Sequence, residues 1–149
     1  MTFESRKSNE MIKREFLKRQ LEELGRDLEK VIASIQNLKE QGKFIEGIDM
    51  VQNSLGSIFD LSIEKVLSML PDNFPERLLK EKKLTPVHLS YLGDILFAAS
   101  ELYDDEGETE KVKLLHNKIL SVFNYINETE KTFSSSRNNK IEIIKRTWN

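Results

Sequence analysis

The sequence predicts an all-α protein built from antiparallel helical hairpins, and three observations carry that prediction. Apolar residues recur at alternating steps of three and four over most of the chain, which is the period of a helix face. Only six glycines and three prolines interrupt 149 residues, of which 38% are hydrophobic and 32% charged, a mixture suited to long amphipathic helices. The breaks between stripes are a few residues long, and breaks that short fold consecutive helices back on one another. A chain of this length buries a core of its own, about 70% of its unfolded surface, with no need of a metal or a disulfide.

The first stripe, Leu17, Leu21, Leu24, Leu28, Val31, Ile35 and Leu38, predicts a helix over residues 9–41, with Ile12 and Phe16 extending its apolar face and Gly42 stopping it. It is read as the bundle's own core, so Leu24→Ala is expected to lower stability without changing the mass; the alternative makes it a coiled-coil seam between chains. A second stripe, Phe44, Ile48, Val51, Leu55 and Ile58, closes the first hairpin. The pattern then shortens. Ile63, Val66, Leu67 and Leu70 fit a two-turn helix capped by Ser62 or Asp60 and ended by Pro71, and Pro75 opens another short helix over Leu78 and Leu79.

Thr85-Pro86 is a helix start, the threonine capping free amides and the proline standing where its missing N–H costs nothing. The helix it opens carries Leu89, Leu92, Leu96, Ala99 and Tyr103, and the stripe resumes as Val112, Leu115, Ile119, Val122 and Ile126. Between them lies SELYDDEGETEK, residues 100–111, read as the bend of a second hairpin, with Glu108 and Glu110 placed where the next helix dipole favours negative charge. FSSSRNN has the composition of a flexible joint, and KIEIIKRTWN beyond it reads as a short basic helix or a tail. The expected division is a helical domain over residues 1–132 and a joint with its C-terminal segment over residues 133–149.

Charge is balanced overall, at −2 with a pI near 5.8, so no global field collects nucleic acid or an anionic membrane. Its distribution is uneven. Residues 87–132 hold four bases against nine acids, whereas residues 133–149 hold four bases and one acid. The tail is therefore expected to dock on an acidic hairpin, of this chain or of a neighbour, with Ile141, Ile144 and Trp148 supplying apolar burial.

Chemical motifs fail one by one. With Gly107 as the glycine of a calcium loop, the first ligand would be Leu102 and the last Lys113. A di-metal bundle site needs a glutamate three residues before each histidine, but Thr85 precedes His88 and Lys113 precedes His116. A phosphate loop ending at Gly42-Lys43 would need glycine at Asn37 and a hydroxyl at Phe44. Neither Ser54 nor Ser57 stands in a nucleophile elbow, and Lys80, Lys82 and Lys83 lack interleaved aromatics and read as a charged helix end. There is no cysteine. The expectation is a protein that is not an enzyme, with no cofactor, no metal and no catalytic residue. It is expected to be cytoplasmic, without an apolar signal core or membrane span, and to bind neither nucleic acid nor membrane.

The two hairpin turns, GKFIEGIDMVQNSL from Gly42 and GETEKVKLLHNKIL from Gly107, are 65 residues apart, close to twice a repeat of about 34. Gly42, Phe44, Gly47 and Ser54 match the turn of a tetratricopeptide repeat, as do Leu96, Ser100, Tyr103 and Gly107 on the helix before the second turn. Thr109 and Val112 match poorly, residues 60–86 depart from the repeat, and the family proline is missing at Phe59 and Asn124. Over residues 14–127 the chain resembles a family of small uncharacterised bacterial tetratricopeptide-like helical proteins. The resemblance implies a right-handed array of hairpins with a short-helix insert, and an interaction module that holds a protein or peptide partner on its concave face. Its inner positions fall on Glu29, Ile32, Gln36 and Lys39 in one hairpin and Asp94, Phe97, Glu101 and Asp104 in the other. The alternative function is a structural coiled-coil or oligomerisation protein built on the first helix; the expected state is a monomer or weak homodimer.

Overall fold

The computed structural model describes the backbone of residues 3–149 and the side chains of residues 8–149. Among these the chain forms seven helices and no strand: α1 (Phe3–Glu40), α2 (Phe44–Phe59), α3 (Ile63–Ser68), α4 (Phe74–Glu81), α5 (Pro86–Asp105), α6 (Thr109–Glu130) and α7 (Ser135–Thr147). The fold is all-α. α1 begins earlier than the periodicity predicts, and its 38 residues span about 57 Å against about 24 Å for the 16 of α2. That mismatch divides the first apolar stripe. Leu28 and Ile35 are buried, Leu21, Leu24, Val31 and Leu38 are half-buried, and Leu17 stands in solvent beyond the end of the hairpin.

Both long hairpins turn through the same backbone device. Gly42 and Gly107 take φ of +71° and +73°, a region open to glycine without a Cβ penalty. At the first turn Gly42 N donates to Lys39 O and Lys43 N to Leu38 O; at the second Gly107 N donates to Asp104 O and Glu108 N to Tyr103 O, all at 2.8–3.0 Å. These are paired Schellman bonds, which satisfy carbonyls left free at a helix end. The acidic stretch SELYDDEGETEK is therefore a helix stop followed by a restart, with Lys39 reaching Asp105 at 3.5 Å.

The insert is fastened at both ends. Ser62 Oγ caps α3 by accepting from Lys65 N, Gln52 Oε1 of α2 accepts from Ile63 N, and Lys82 Nζ meets the carbonyl and carboxylate of Asp60 at 3.0 and 3.2 Å. Ser121 Oγ of α6 donates to Pro71 O at 2.8 Å, and Phe74 and Leu78 are buried beneath. Thr85 caps α5 reciprocally: its Oγ1 accepts from His88 N, and Thr85 N donates to His88 Nδ1. α7 starts ahead of the predicted joint's end, because Ser134 Oγ accepts from Arg137 N and so places Arg137, Asn138 and Asn139 in the helix.

α5 is the centre of the molecule, touching α1, α2 and α6. Leu92, Ile95, Leu96, Phe97, Ala98 and Ala99 are all buried, so apolar contact surrounds this helix where a surface helix would show one stripe. Three glycines set the closest approaches. A Cβ on Gly47 of α2 would lie 3.0 Å from Leu102, one on Gly25 of α1 2.6 Å from Tyr91 Oη, and one on Gly93 2.2 Å from Phe123 Cε1 on α6.

Gly56 on α2 supplies the control, since a Cβ there would meet only Leu61 O at 3.9 Å. Gly56→Ala should therefore stabilise the protein by about 0.5–1 kcal/mol through helix propensity. Gly93→Ala should lose about 1–3 kcal/mol despite the same propensity gain, because α5 and α6 must move apart. Urea unfolding of the two variants beside the parent measures both signs.

Candidate functional site

α1 and α5 run side by side in the same direction. Near one end Tyr91 Oη donates to Leu21 O at 3.3 Å; near the other Lys39 pairs with Asp105. On the far side of α5 stands α7, held by Lys140 Nζ at 3.3 Å from Asp94 Oδ1 and 5.8 Å over the Phe97 ring. α5 is thus the floor of a face walled by α1 and α7.

The predicted partner-binding residues distribute unevenly over this face. Glu29 and Gln36 are exposed on α1, and Asp104 is exposed near the end of α5. Asp94 and Glu101 are half-buried, two helical turns apart. Burial raises the pKa of both above the ordinary carboxylate range; Lys140 opposes the shift at Asp94, and Lys39 and Lys140 oppose it at Glu101. A desolvated carboxylate therefore sits between cations reaching from both walls. Two of the predicted residues do not offer free contact surface. Ile32 packs against the core, and Phe97 is buried beneath Lys140 and stacked on His116 at 6.3 Å between ring centroids. Lys39 is half-buried and already engaged with Asp105.

α7 is anchored at three points. At its start, buried Arg137 donates from Nε to Asn127 Oδ1 and from Nη2 to Thr132 O, both at 2.7 Å, while Asn127 Nδ2 donates to Asn138 Oδ1. In the middle Ile141 and Ile144 are buried on the hairpin of this same chain. At its end Trp148 Nε1 donates to His116 Nδ1 at 2.9 Å. Trp148 itself remains 41% exposed, so it contributes a polar latch where apolar burial was expected of it. The sequence reading missed Lys140 and the Trp148–His116 pair as parts of this face. Their contacts join three helices, so no local spacing announces them.

The protons of this latch are fixed by its members. An indole N–H only donates, so His116 Nδ1 is the acceptor and Nε2 carries the hydrogen toward Ser100 Oγ at 3.2 Å. Ser100 in turn donates to Phe97 O at 2.6 Å. With its proton on the serine-facing nitrogen and its other nitrogen occupied, this imidazole cannot take the Ser100 proton as a general base. Among the described residues no group of three or more His, Cys, Asp or Glu is placed to hold a metal ion, and no helix is long and apolar enough to cross a membrane.

Burial lowers the pKa of His116, with Asp104 acting against the shift, and burial also lowers that of His88. The unfolded chain then takes up protons first as pH falls below about 6.5, so stability declines from there toward the folded pKa values. Asp94 and Glu101 act oppositely and at lower pH, because their raised pKa values make the folded state the first to bind protons. Protonation of His116 also turns Nδ1 into a donor facing a donor. The denaturation midpoint should fall as pH drops below about 6.5, and Trp148 fluorescence should shift red at the lower pH where folded His116 takes its proton. His116→Asn, whose Oδ1 replaces the acceptor, should abolish the fluorescence change and leave only the His88 share of the stability loss.

Comparison of the chain with protein-family models, with curated proteins and with solved structures finds no match in any of the three, so a functional reading rests on this geometry.

Proposed function

We propose that the chain is a non-catalytic, tetratricopeptide-like interaction module that holds a protein or peptide segment along α5, between α1 and α7. The array is supported by order of packing: α5 lies on the α1–α2 pair, and α7 lies on α6 with side-chain bonds to α5 and α6. The two Schellman turns, 65 residues apart and bonded alike, support a repeated hairpin. α3 and α4 pack on α6 and leave the α1–α5–α7 face to solvent contact.

The observation that carries the reading is the pair of half-buried acids on the floor. Isolated carboxylates are costly to desolvate and are retained where a charge partner completes them. Asp94 has Lys140 at 3.3 Å, whereas Glu101 makes no hydrogen bond or ion pair among the described residues and is steadied only at longer range. A partner that brings a lysine or arginine to Glu101, beside apolar contact at Ile143, would complete that carboxylate. The preferred segment is therefore basic and amphipathic, with α7 itself as its nearest chemical likeness in the chain.

The test uses the single tryptophan at the groove's end as reporter. Synthetic 15-residue peptides with lysine or arginine spaced along one apolar face should perturb Trp148 fluorescence saturably, and matched glutamate peptides should not. Glu101→Gln should weaken the basic peptides about tenfold, the value of one charge-assisted hydrogen bond. It should leave the thermal midpoint unchanged or slightly raised, because a desolvated charge is removed. Equal affinity for Glu101→Gln and parent, or no binding of either peptide class, rejects the proposal.

A further inference from the structure

Among the described residues, every side chain of α1 before Leu21 is exposed. Ile12, Phe16 and Leu17 are 65%, 60% and 57% exposed, and Leu17 stands at the open end of the stripe that is half-buried at Leu21 and Leu24 and buried at Leu28. Leu17 and Leu21 of α1 continue into an open groove completed by Val87 and Tyr91 at the start of α5, with Lys18 and Glu22 on its rim. Singly scattered surface apolar residues need no explanation, but a bulky run leading directly into an apolar groove does.

The charges identify what fits there. Residues 13–19 carry Lys13, Arg14, Lys18 and Arg19 against Glu15, a net of +3. Residues 22–29 carry Glu22, Glu23, Asp27 and Glu29 against Arg26, a net of −3. The chain thus holds two adjacent helical segments of equal and opposite charge, with Gln20 and Leu21 between them. Two copies laid antiparallel about that point set each basic segment on the other copy's acidic segment. A parallel pair would set +3 on +3.

We propose that a second copy of this chain covers the α1 overhang, as an antiparallel two-fold pair centred near Gln20. Each overhang brings Phe16 and Leu17 to the groove of Leu21, Val87 and Tyr91 on the other copy. The bodies of the two copies lie at opposite ends of the paired helices, because α2 and α5 flank α1 only from about Leu21 onward. The interface is isologous and therefore closed, so pairing stops at two. An overlap of about 16 residues, or ~24 Å of helix, is small beside the ~800 Å² per partner of a standard interface, so the dimer is reversible and salt-sensitive. This surface overlaps the α1–α5–α7 face only at its Tyr91 end and does not reach Glu101, so the dimer and the Glu101 peptide site are tested separately.

Sedimentation equilibrium of the full chain at low salt should show the mass rising with concentration from 17.4 kDa toward twice that value, and falling back as salt is added. Phe16→Glu should raise the dissociation constant at least tenfold with unchanged helical circular dichroism, since this side chain is exposed. The double reversal Lys18→Glu with Arg19→Glu should weaken pairing, and adding Glu22→Lys with Glu23→Lys should restore it. The chain has no cysteine, so Gln20→Cys should cross-link copies on oxidation while Glu10→Cys should not. A monomer at every concentration, a dimer indifferent to Phe16→Glu, failure of the fourfold swap to restore pairing, or cross-linking through Glu10→Cys as readily as through Gln20→Cys each overturns the proposal. So does a monomer that binds phosphatidylserine vesicles through Phe16, which would make a lipid surface the occupant.

Discussion

The fold depends on the burial of α5 from several sides at once. A helix that meets α1, α2 and α6 together cannot carry large side chains all round, and the sequence reduces its girth where neighbours come closest. Gly93 admits the Phe123 ring, Ala98 and Ala99 are small buried residues, and Gly47 of α2 makes room for Leu102. Interiors of this density respond to a single added methyl group. The remaining gap, between α1 and α7, is where Asp94 and Glu101 emerge. Half-buried acids follow directly from polar residues set on the one open line of an otherwise enclosed helix.

Much of the architecture was legible because it is periodic and local. Stripes at steps of three and four located the long helices, Thr85-Pro86 and Ser62 announced their caps, and Gly42 and Gly107 marked turns that need positive φ. What escaped was whatever depends on a neighbour's length. The stripe from Leu17 to Leu38 reads as uniform, but α2 is too short to cover it, and periodicity does not say how long a partner helix will be. In α5, Ile95, Phe97 and Ala98 fall off the predicted stripe; they are the sign of a helix with more than one packed face. The start of α7 was hidden by composition, since Ser134 to Asn139 looks like a joint until Ser134 is seen to cap and Arg137 to fasten onto Asn127.

The candidate face was legible in its floor and obscure in its walls. Inner-position spacing put Asp94 and Glu101 on one side of α5, because i and i+7 share a helix face. It also named Phe97, at i+3, which that same periodicity cannot distinguish from an acid's exposed neighbour. The structure separates them through α7: Lys140 spans Asp94 and Phe97 together, and its cation covers the ring. His116 and Trp148, 32 residues apart, meet only after three helices have packed. Their single acceptor and single donor tie the end of α7 to a protonation state, a link written in chemistry and absent from spacing.

The parallel course of α1 and α5 sets how the two surfaces relate. The α1–α5–α7 face runs between the levels of Tyr91 and Asp105, and the unpaired length of α1 extends away from it past Leu21. Pairing through the overhang would leave the Glu101 end of that face uncovered on each copy and carry two such ends on a paired rod. A partner with two such segments would then bind the second at an effective concentration set by the rod, so a modest affinity at each groove would become strong attachment only where the partner's spacing matches. The extra turns of α1, unneeded for the core, would thus fix the distance between two weak sites and make that distance part of what is recognised.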